Sequence, residues 1–269
     1  MHAYVVNLAR AADRRAHIIH ELQKTDIDYE FVEAVDGREL DLNDSRSIDP
    51  TAVSNGSLGD SPAAVPGVVG CAQSHLRVYR KILEDGHERA LVLEDDVLLP
   101  NDLATLADAV GENMLEAEVV LLQFHHDPAP CRVTKEGSVS LPSSRLLVHP
   151  VDTRLLYSAA GYVITRQACQ RMERAILPVR VQADSWDFYR RRGAIDGLRC
   201  VVPMPIVDSP AFRSTIDYYW PNSIQARLRE WVPRARVPVL YQAITYRRQR
   251  TLRRKGRVGE FEFVEKEAN

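Results

Sequence analysis

Short apolar runs alternate with segments of helical periodicity at the start of the chain, and this alternation constrains the fold more than any other feature. Residues 3–7 and 29–32 are predicted strands. Between them lies a charged segment whose apolar side chains recur at helical spacing, at Ala16, Ile19 and Leu22. Strand, helix and strand in this order are typical of an α/β sheet, in which ligands bind at the carboxyl ends of the strands.

The same alternation continues further along the chain. A stripe on one helical face, followed by Gly86, predicts a helix; the stripe consists of Cys71, His75, Val78, Tyr79 and Ile82. Buried strands are predicted over residues 90–93, 119–123 and 158–165, and a further helix over 166–175.

The composition is that of a folded globular chain, since 45% of the 269 residues are hydrophobic and 27% are charged. No stretch approaches the roughly 20 apolar residues of a membrane span, and residues 1–10 lack the features of a secretory signal, so a cytoplasmic location is expected. The cysteines are too far apart for a CxxC pair or a dense disulfide framework, which predicts reduced thiols rather than structural zinc or disulfides. They are Cys71, Cys131, Cys169 and Cys200.

The formal net charge of −2 is an average over two oppositely charged parts. Residues 227–257 carry eleven lysines and arginines against Glu230, whereas residues 1–226 carry 23 basic and 32 acidic side chains. The chain is therefore divided into an acidic body, 1–226, and a basic arm, 227–269. Aromatic residues lie in or beside the arm, at Trp220, Trp231, Tyr241 and Tyr246. Such a segment suits an anionic membrane surface or a nucleic acid, and a solvated terminal helix is the third interpretation.

Three consecutive acids follow the apolar strand 90–93, namely Glu94, Asp95 and Asp96. Adjacent carboxylates repel each other unless a cation neutralises them. Hard oxygen ligands suit Mg²⁺ or Mn²⁺, whose remaining coordination is commonly completed by phosphate oxygens. The acids therefore predict a metal site, and a solvated acidic turn is the alternative.

Other polar groups remain open to two interpretations. His75 lies on an apolar helix face beside Ser74, so it is either a hydrogen-bonded core histidine or a catalytic one. The cluster formed by His125, His126 and Asp127 follows a strand and could reach a metal. The first strand is followed by basic residues that could bind phosphate or form a solvated helix face; they are Arg10, Arg14 and Arg15.

Residues 41–67 differ from the segments on either side. They are rich in Asp, Ser, Asn, Gly and Pro and have no sustained period. A loop of this length is usually functional or disordered. It is predicted to be a flexible loop or lid near a substrate site, and a surface excursion is the alternative.

Five blocks of the sequence, taken together, resemble glycosyltransferase family 25. In order they are VVNLARAADRRAHI, FVEAVDG, GVVGCAQSHLRVYRKILEDG, ALVLEDDVLLP and AAGYVITRQAC. The resemblance covers roughly residues 3–187. The family contains lipopolysaccharide and lipooligosaccharide glycosyltransferases and the collagen galactosyltransferases.

The resemblance implies a GT-A-like, Rossmann-like α/β fold with a central, mostly parallel mixed sheet flanked by helices. It also implies an inverting, metal-dependent transfer from a UDP-sugar, most often UDP-galactose. Mn²⁺ or Mg²⁺ would be held by Asp96 with Glu94 and Asp95, and the latter two would also contact the ribose.

Further site residues follow from the same resemblance. The family's nucleotide pocket corresponds to Asn7, Arg10, Arg15, Asp36 and Gly37, and its donor-binding SH pair to Ser74 and His75. The catalytic base corresponds to Asp184 or Asp187, which the sequence does not separate. Arg213 with Ser214 is a second candidate pair for the diphosphate.

The acceptor implied by the resemblance is a lipopolysaccharide, a lipooligosaccharide or a related glycan. A protein hydroxyl is the alternative acceptor, and a catalytically silent binding module is the alternative function. Because such glycolipids are assembled at the cytoplasmic face of a membrane, the basic arm is expected to bind an anionic membrane, with the chain peripheral there and no nucleic acid bound.

Overall fold

A nine-stranded mixed sheet lies at the centre of the molecule. The computed structural model describes residues 1–58, 64–126, 130–154, 156–212 and 257–264. Its helices are α1 (Ala12–Leu22), α2 (Pro50–Ser54), α3 (Val65–Asp85), α4 (Leu103–Glu112), α5 (Arg166–Ile176) and α6 (Trp186–Arg191), with a 3₁₀ turn at Gly37–Glu39.

The described residues form fourteen strands. These are β1 (His2–Asn7), β2 (Tyr29–Glu33), β3 (Arg89–Glu94), β4 (Val97–Leu98), β5 (Glu118–Leu121), β6 (His125–His126), β7 (Cys131–Leu141), β8 (Arg145–Pro150), β9 (Leu156–Tyr157), β10 (Gly161–Thr165), β11 (Gly197–Val202), β12 (Val207–Asp208), β13 (Arg257–Val258) and β14 (Phe261–Val264).

The strand order of the central sheet is β14-β7-β8-β11-β5-β10-β3-β1-β2. The first three strands of the chain are parallel to one another, and β10 lies antiparallel between β3 and β5. The predicted α/β fold with a mixed central sheet flanked by helices is confirmed. Parallel pairings are not the majority, however, because four of the eight pairings are antiparallel.

Helices cover both faces of the sheet, which explains why the middle positions of β1, β3 and β10 are apolar in succession. Tyr4 and Val92 point to one side and pack with α3 and α5. Their neighbours Ala3 and Leu91 point to the other side and pack with α1 and α4. Successive strand residues alternate between the faces, so each central strand contributes to two cores.

The helix α3 is the longest described helix and carries the predicted stripe. Proline in its first turn costs no helical hydrogen bond. Its end is set by Gly86, whose φ of 77° is the left-handed conformation that favours glycine. The prediction that Gly86 ends this helix is confirmed.

The buried face of α1 differs from the predicted one. Ile18, Glu21 and Leu22 are buried, whereas Ala16 is exposed and Ile19 is only half-buried. A polar residue lies on the buried face because the Glu21 carboxylate accepts a hydrogen bond from the Leu99 N–H at 3.1 Å. Of the three predicted positions only Leu22 is fully buried, so the buried face is rotated from the one that hydrophobic spacing indicated.

The segment 41–67 is not one long loop. It contains α2 and the first turn of α3, and residues 59–63 lie outside the described ranges. Its side chains at Ile48 and Leu58 are buried in the core, and Ile48 bridges to Val179. The described part thus packs against the body, and the motion that a lid requires stays a prediction.

Two further boundaries differ from the sequence division. The strand predicted over 158–165 begins only at Gly161, because Ser158 adopts a φ of 119°. Residues 257–264, assigned to the basic arm, form β13 and β14, which pair with β6 and β7 of the body. The rest of the arm lies outside the described residues. No helix in the described ranges is both long enough and apolar enough to cross a membrane.

Candidate active site

A cleft of about 650 Å³ opens at the carboxyl ends of β1, β2 and β3. Parallel strands end at the same edge of a sheet, and their following residues therefore converge there. The three strands bring to the cleft Arg10 and Arg14, then Asp36 and Gly37, and then the three consecutive acids.

The middle acid of the three is held by the protein itself. Asp95 is buried and accepts a hydrogen bond from the Asn7 amide at 2.7 Å. Its other oxygen accepts from Arg14 at 2.9 Å. Both carboxylate oxygens of Asp95 are thus engaged by the protein, which fixes this acid in place at the cleft, and its predicted metal or ribose contact stays a prediction. Asn7 likewise supports the acids from below and does not line the cleft.

A fourth acid, Asp208, joins the cluster from a distant part of the chain. The two-stranded pairing of β12 with β4 places Asp208 opposite Val97, and the Ser209 N–H donates to the Asp96 carbonyl at 2.7 Å. Gln123 donates to the Asp208 carboxylate at 2.9 Å. Sequence reasoning missed Asp208 because its strand has only two residues and no recognisable period.

Crowding of these acids changes their protonation. Burial, together with the negative charge of Glu94 and its neighbours, raises the pKa of Asp96 to about 7, although Arg14 acts in the opposite direction. Burial also raises the pKa of Asp208, where Glu94 adds to the effect and His125 opposes it. Within the described ranges Arg14 is the arginine that contacts these acids, and its single positive charge does not balance the whole cluster.

The chemistry of this donor set fits a hard divalent cation. Glu94, Asp96 and Asp208 all line the cleft and offer carboxylate oxygens, which are the ligands that Mg²⁺ and Mn²⁺ prefer. Burial and the neighbouring carboxylates raise the pKa of Asp96, and a divalent cation beside it would favour the ionised form.

Asp36 follows β2 and shapes the loop that this strand brings to the cleft. It accepts hydrogen bonds from Arg10 at 2.8 Å and from the Arg38 backbone at 3.1 Å, and thereby begins the 3₁₀ turn. Hydrogen bonds from Arg38 and Arg10 lower the pKa of Asp36, so it stays ionised. Beside it, Gly37 is required by space, because a Cβ there would lie 1.8 Å from the Pro66 carbonyl oxygen.

The SH pair has two separate tasks. Ser74 is buried; its hydroxyl donates to the Gly70 carbonyl at 2.6 Å and accepts from the Val35 N–H at 2.8 Å, which ties the second strand's loop to α3. His75 contacts the Tyr162 hydroxyl through Nδ1 at 2.8 Å. Its Nε2 lies 3.6 Å from Glu94. His75 is therefore both a buried histidine and a residue that faces the acids.

The structure separates the two candidate bases. Asp184 lines the cleft and accepts a hydrogen bond from the Ser158 N–H at 3.1 Å. Burial raises the pKa of Asp184, against the opposing influence of His125. Asp187 instead lines a different cavity, where it accepts hydrogen bonds from Thr153 at 2.6 Å and Arg191 at 2.6 Å. The catalytic prediction for Asp187 is therefore not supported by its position.

Most of the chain that forms this cleft is similar to a known family of sequences. The sequence model of glycosyltransferase family 25, described as an LPS biosynthesis protein, matches residues 1–186. The chain belongs to glycosyltransferase family 25. The match contains the three acids, the SH pair and Asp184, so the family's segment supplies most of the cleft.

Individual relatives are much longer than this family 25 chain. Human procollagen galactosyltransferase 2 is 26% identical over 176 residues, which are 63% of this chain and 26% of the relative. The mouse protein named inactive glycosyltransferase 25 family member 3 is 28% identical over 113 residues, 42% of this chain and 19% of that protein. The chain thus spans about a quarter or less of these two relatives.

Among solved structures, the inositol-1-phosphate CTP transferase from T. maritima is similar with a TM-score of 0.35 and 10% sequence identity. The similarity covers 81% of this chain and 93% of that structure.

Some of the remaining predicted site residues of this family 25 chain line the cleft, and others lie away from it. Arg15 does not line the cleft; its guanidinium stacks 3.7 Å from the centre of the Phe31 ring. Arg14, one helical position earlier, reaches the acids instead. The orientation of α1 about its axis directs Arg14 to the acids and Arg15 to Phe31. The apolar spacing in the sequence had predicted a different orientation of this helix.

The second polar cluster is also divided. His125 lines the cleft near Asp184 and Asp208, whereas His126 is buried in β6. Asp127 lies outside the described residues, as do Arg213 and Ser214. Sequence reasoning had noted His125 only as one of a loop pair, because the strand that carries it has just two residues.

Proposed function

We propose that this chain is a metal-dependent, inverting glycosyltransferase that moves a sugar, galactose in the first instance, from a UDP-sugar to a glycan or glycolipid acceptor. One observation carries the proposal: Glu94, Asp96 and Asp208 crowd together on the same cleft that Asp184 lines. A cleft with an acidic cluster and a separate, partly buried acid suits a metal-bound diphosphate and an acceptor hydroxyl.

The acidic cluster is the part that would hold Mn²⁺ or Mg²⁺. When bound, the ion supplies positive charge that stabilises the negative charge developing on the departing UDP. Arg14 already donates to Asp95 at 2.9 Å and Asp96 at 3.0 Å, so it holds two acids in place rather than competing for the phosphates. Arg10 is half-exposed at the rim of the cleft; it also donates to Asp36 at 2.8 Å, and we assign its exposed guanidinium to the diphosphate.

Asp184 is the proposed general base. A base must accept the proton of the acceptor hydroxyl as the sugar is transferred, and a carboxylate with a raised pKa is a stronger base than a solvated one. Burial raises the pKa of Asp184, and the Ser158 N–H fixes one of its oxygens. Direct attack by that hydroxyl in a single displacement inverts the anomeric configuration of the sugar.

Two alternatives have support of their own. The similarity to human procollagen galactosyltransferase 2 favours a protein hydroxyl as acceptor. The similarity to a mouse protein named inactive favours a silent module that binds nucleotide-sugars or carbohydrates without turnover. The intact acidic cluster favours an active enzyme over the silent module.

The deciding experiment measures UDP release from a panel of UDP-sugars with and without Mn²⁺, using the full chain and glycan or peptide acceptors. Activity is expected only with the metal, and Asp96→Ala should abolish it while leaving the circular dichroism spectrum unchanged. Normal metal-dependent activity in Asp96→Ala would remove Asp96 from the metal site. Absence of UDP release with every donor, combined with UDP-sugar binding, would favour the silent module.

A further inference from the structure

Three metal-binding side chains of different chemistry meet at the wall of the cleft. The thiol of Cys71, the imidazole of His75 and the carboxylate of Glu94 place their ligand atoms within 4.8 Å of one another. Cys71 and His75 are four residues apart in α3 and therefore share one face. Glu94 is the last residue of β3, beside that helix.

The buried imidazole of His75 indicates that a ligand binds beside it. Nε2 is buried and has no hydrogen-bond partner among the described residues. Only 1% of the His75 side chain is exposed, so this nitrogen is not compensated by bulk water. A buried polar atom without a partner is unfavourable, because the hydrogen bonds that it makes to water in the unfolded chain are not replaced.

The hydrogen bonds at Nδ1, the other ring nitrogen, indicate the tautomer of His75. The Tyr162 hydroxyl donates to the Tyr79 hydroxyl at 3.1 Å. The Tyr162 oxygen can then accept a hydrogen bond from Nδ1–H, 2.8 Å away. Nε2 is left with its lone pair directed at the Glu94 carboxylate at 3.6 Å. In this tautomer a lone pair and a carboxylate face each other, an arrangement that a proton or a metal ion between them stabilises.

We propose that Cys71, His75 and Glu94 form a second metal site that takes a borderline-soft divalent ion such as Zn²⁺. Sulfur, nitrogen and oxygen ligands together select zinc, in contrast to the all-oxygen acidic cluster. The wide spacing of the four cysteines had predicted no structural zinc, but that prediction considered cysteine pairs and not one cysteine with a histidine and an acid.

The distances and charges of the three groups fit such an ion. Ligand atoms of a tetrahedral zinc site lie roughly 3.3–3.8 Å apart, since each is about 2.0–2.3 Å from the metal. The separation of 3.6 Å between His75 and Glu94 already meets this spacing, and the Cys71 sulfur lies within 4.8 Å of both ligand atoms, so binding requires it to approach them further. One thiolate, one carboxylate and a neutral imidazole balance the charge of a divalent ion, and the cleft leaves a fourth position open.

Binding of the ion exchanges one bond for another. The S–H bond of Cys71 breaks, the sulfur–metal bond forms, and the proton leaves to solvent. Burial holds the pKa of the Cys71 thiol well above its ordinary value, with Glu94, Asp184 and Asp96 adding to the effect, so the free site carries a neutral thiol. The thiolate therefore forms only together with the metal.

Occupancy of this site has a consequence that rests on the proposed function. Glu94 belongs both to this site and to the acidic cluster, so an ion bound to Cys71 and His75 withdraws it from the cluster. Zn²⁺ is expected to reduce Mn²⁺-dependent UDP release by the native chain to a greater fraction than release by Cys71→Ser. Equal fractional inhibition of the two proteins would contradict this consequence.

The direct test does not depend on turnover. Metal-free full-length chain is titrated with Co²⁺ in the absence of Mg²⁺, because Mg²⁺ at the acidic cluster would hold Glu94, which both sites share. A thiolate-to-cobalt charge-transfer band in the near ultraviolet should rise to one Co²⁺ per chain and disappear on addition of Zn²⁺. Absence of the band in the native chain would overturn the proposal even if UDP release is normal.

Variants then identify the ligands. Cys71→Ser removes the sulfur with little change in volume and should abolish the band, as should His75→Asn, with folding checked by circular dichroism. Two controls should retain it: Cys169→Ser, which changes a buried cysteine outside the cleft, and Asp96→Asn, which alters only the acidic cluster. A band that persists in Cys71→Ser, or that vanishes only in Cys169→Ser, would overturn the assignment.

Discussion

The acid Asp96 shows how a single residue can serve function at the expense of stability. Its pKa is raised from 3.8 to about 7 by burial, Glu94 and the neighbouring acids. The folded chain therefore binds this proton more tightly than the unfolded chain does. Stability from this group is present at low pH and is lost as the pH rises from about 4 to about 7.

Asp96→Asn is accordingly expected to stabilise the metal-free chain above pH 7. Between pH 5 and pH 8 in EDTA, the native chain should lose on the order of 2–4 kcal/mol more of its free energy of unfolding than the variant loses, because an amide does not ionise. Urea denaturation at the two pH values measures this. Asp26→Asn, the same change at an exposed position, is the control and should behave as the native chain does.

Asp184 and Asp187, three residues apart, are expected to respond differently to the same substitution. Asp184→Asn should lower kcat by about 10²-fold or more with little change in UDP affinity, because a missing general base slows the chemical step and not donor binding. Kinetics and calorimetric UDP titration measure the two effects.

Asp187→Asn is the matched control and should keep kcat near that of the native chain. Thr153, Arg190 and Arg191 engage Asp187 away from the cleft, so its variant is expected to affect stability instead. Loss of UDP binding in Asp184→Asn would reassign that acid to the donor site, and an equal loss of kcat in both variants would contradict the separation.

At the scale of elements, two tight approaches hold the rim of the cleft together. The 3₁₀ turn at Gly37–Glu39 touches the beginning of α3, and a Cβ at Gly70 would lie 2.7 Å from the Val35 carbonyl oxygen. Glycines in these blocks are therefore a packing requirement between two elements that both line the cleft.

Gly37→Ala is expected to force the 3₁₀ turn and α3 apart, since its Cβ would lie 1.8 Å from the Pro66 carbonyl oxygen. The substitution should raise the KM for the donor and lower stability together. The control Gly86→Ala has nothing within 4 Å and differs only in its positive φ. It should cost about 1 kcal/mol in urea denaturation and leave the KM unchanged. An unchanged KM in Gly37→Ala would show that the rim does not contact the donor.

At the scale of the whole molecule, the basic segment lies along the chain between two stretches that both belong to the body. The described chain stops at Phe212, which lines the cleft, and resumes at β13, which pairs with β6. Removing everything after residue 226 would thus also remove β13 and β14 from the two sheets. A test of membrane binding needs a change of charge instead of a truncation.

Replacing five arginines by glutamine should weaken binding to anionic vesicles while leaving β13 and β14 in place; they are Arg247, Arg248, Arg250, Arg253 and Arg254. Each cation near an anionic surface contributes about 1 kcal/mol, so the substitutions should reduce the bound fraction strongly. Sedimentation with anionic and neutral vesicles at two salt concentrations measures this. Equal binding of the native chain to both vesicle types would contradict an electrostatic membrane arm.

Local patterns were sufficient for much of this molecule. Apolar runs and helical stripes predicted β1, β2, β3, α3 and α5, because burial between two layers of helices leaves a strong periodic signal. The three acids at the end of β3 were placed in the cleft correctly, since parallel strands deliver their carboxyl ends to one edge. Five ordered blocks were enough to identify the family.

Only the tertiary structure decided which groups share the cleft. Asp208 arrives through a two-residue strand, and the orientation of α1 directs Arg14 to the acids and Arg15 to Phe31. Asp184 and Asp187 separate because α6 begins between them and directs them to different cavities. These outcomes depend on contacts between residues far apart in the chain, and no local period records such contacts.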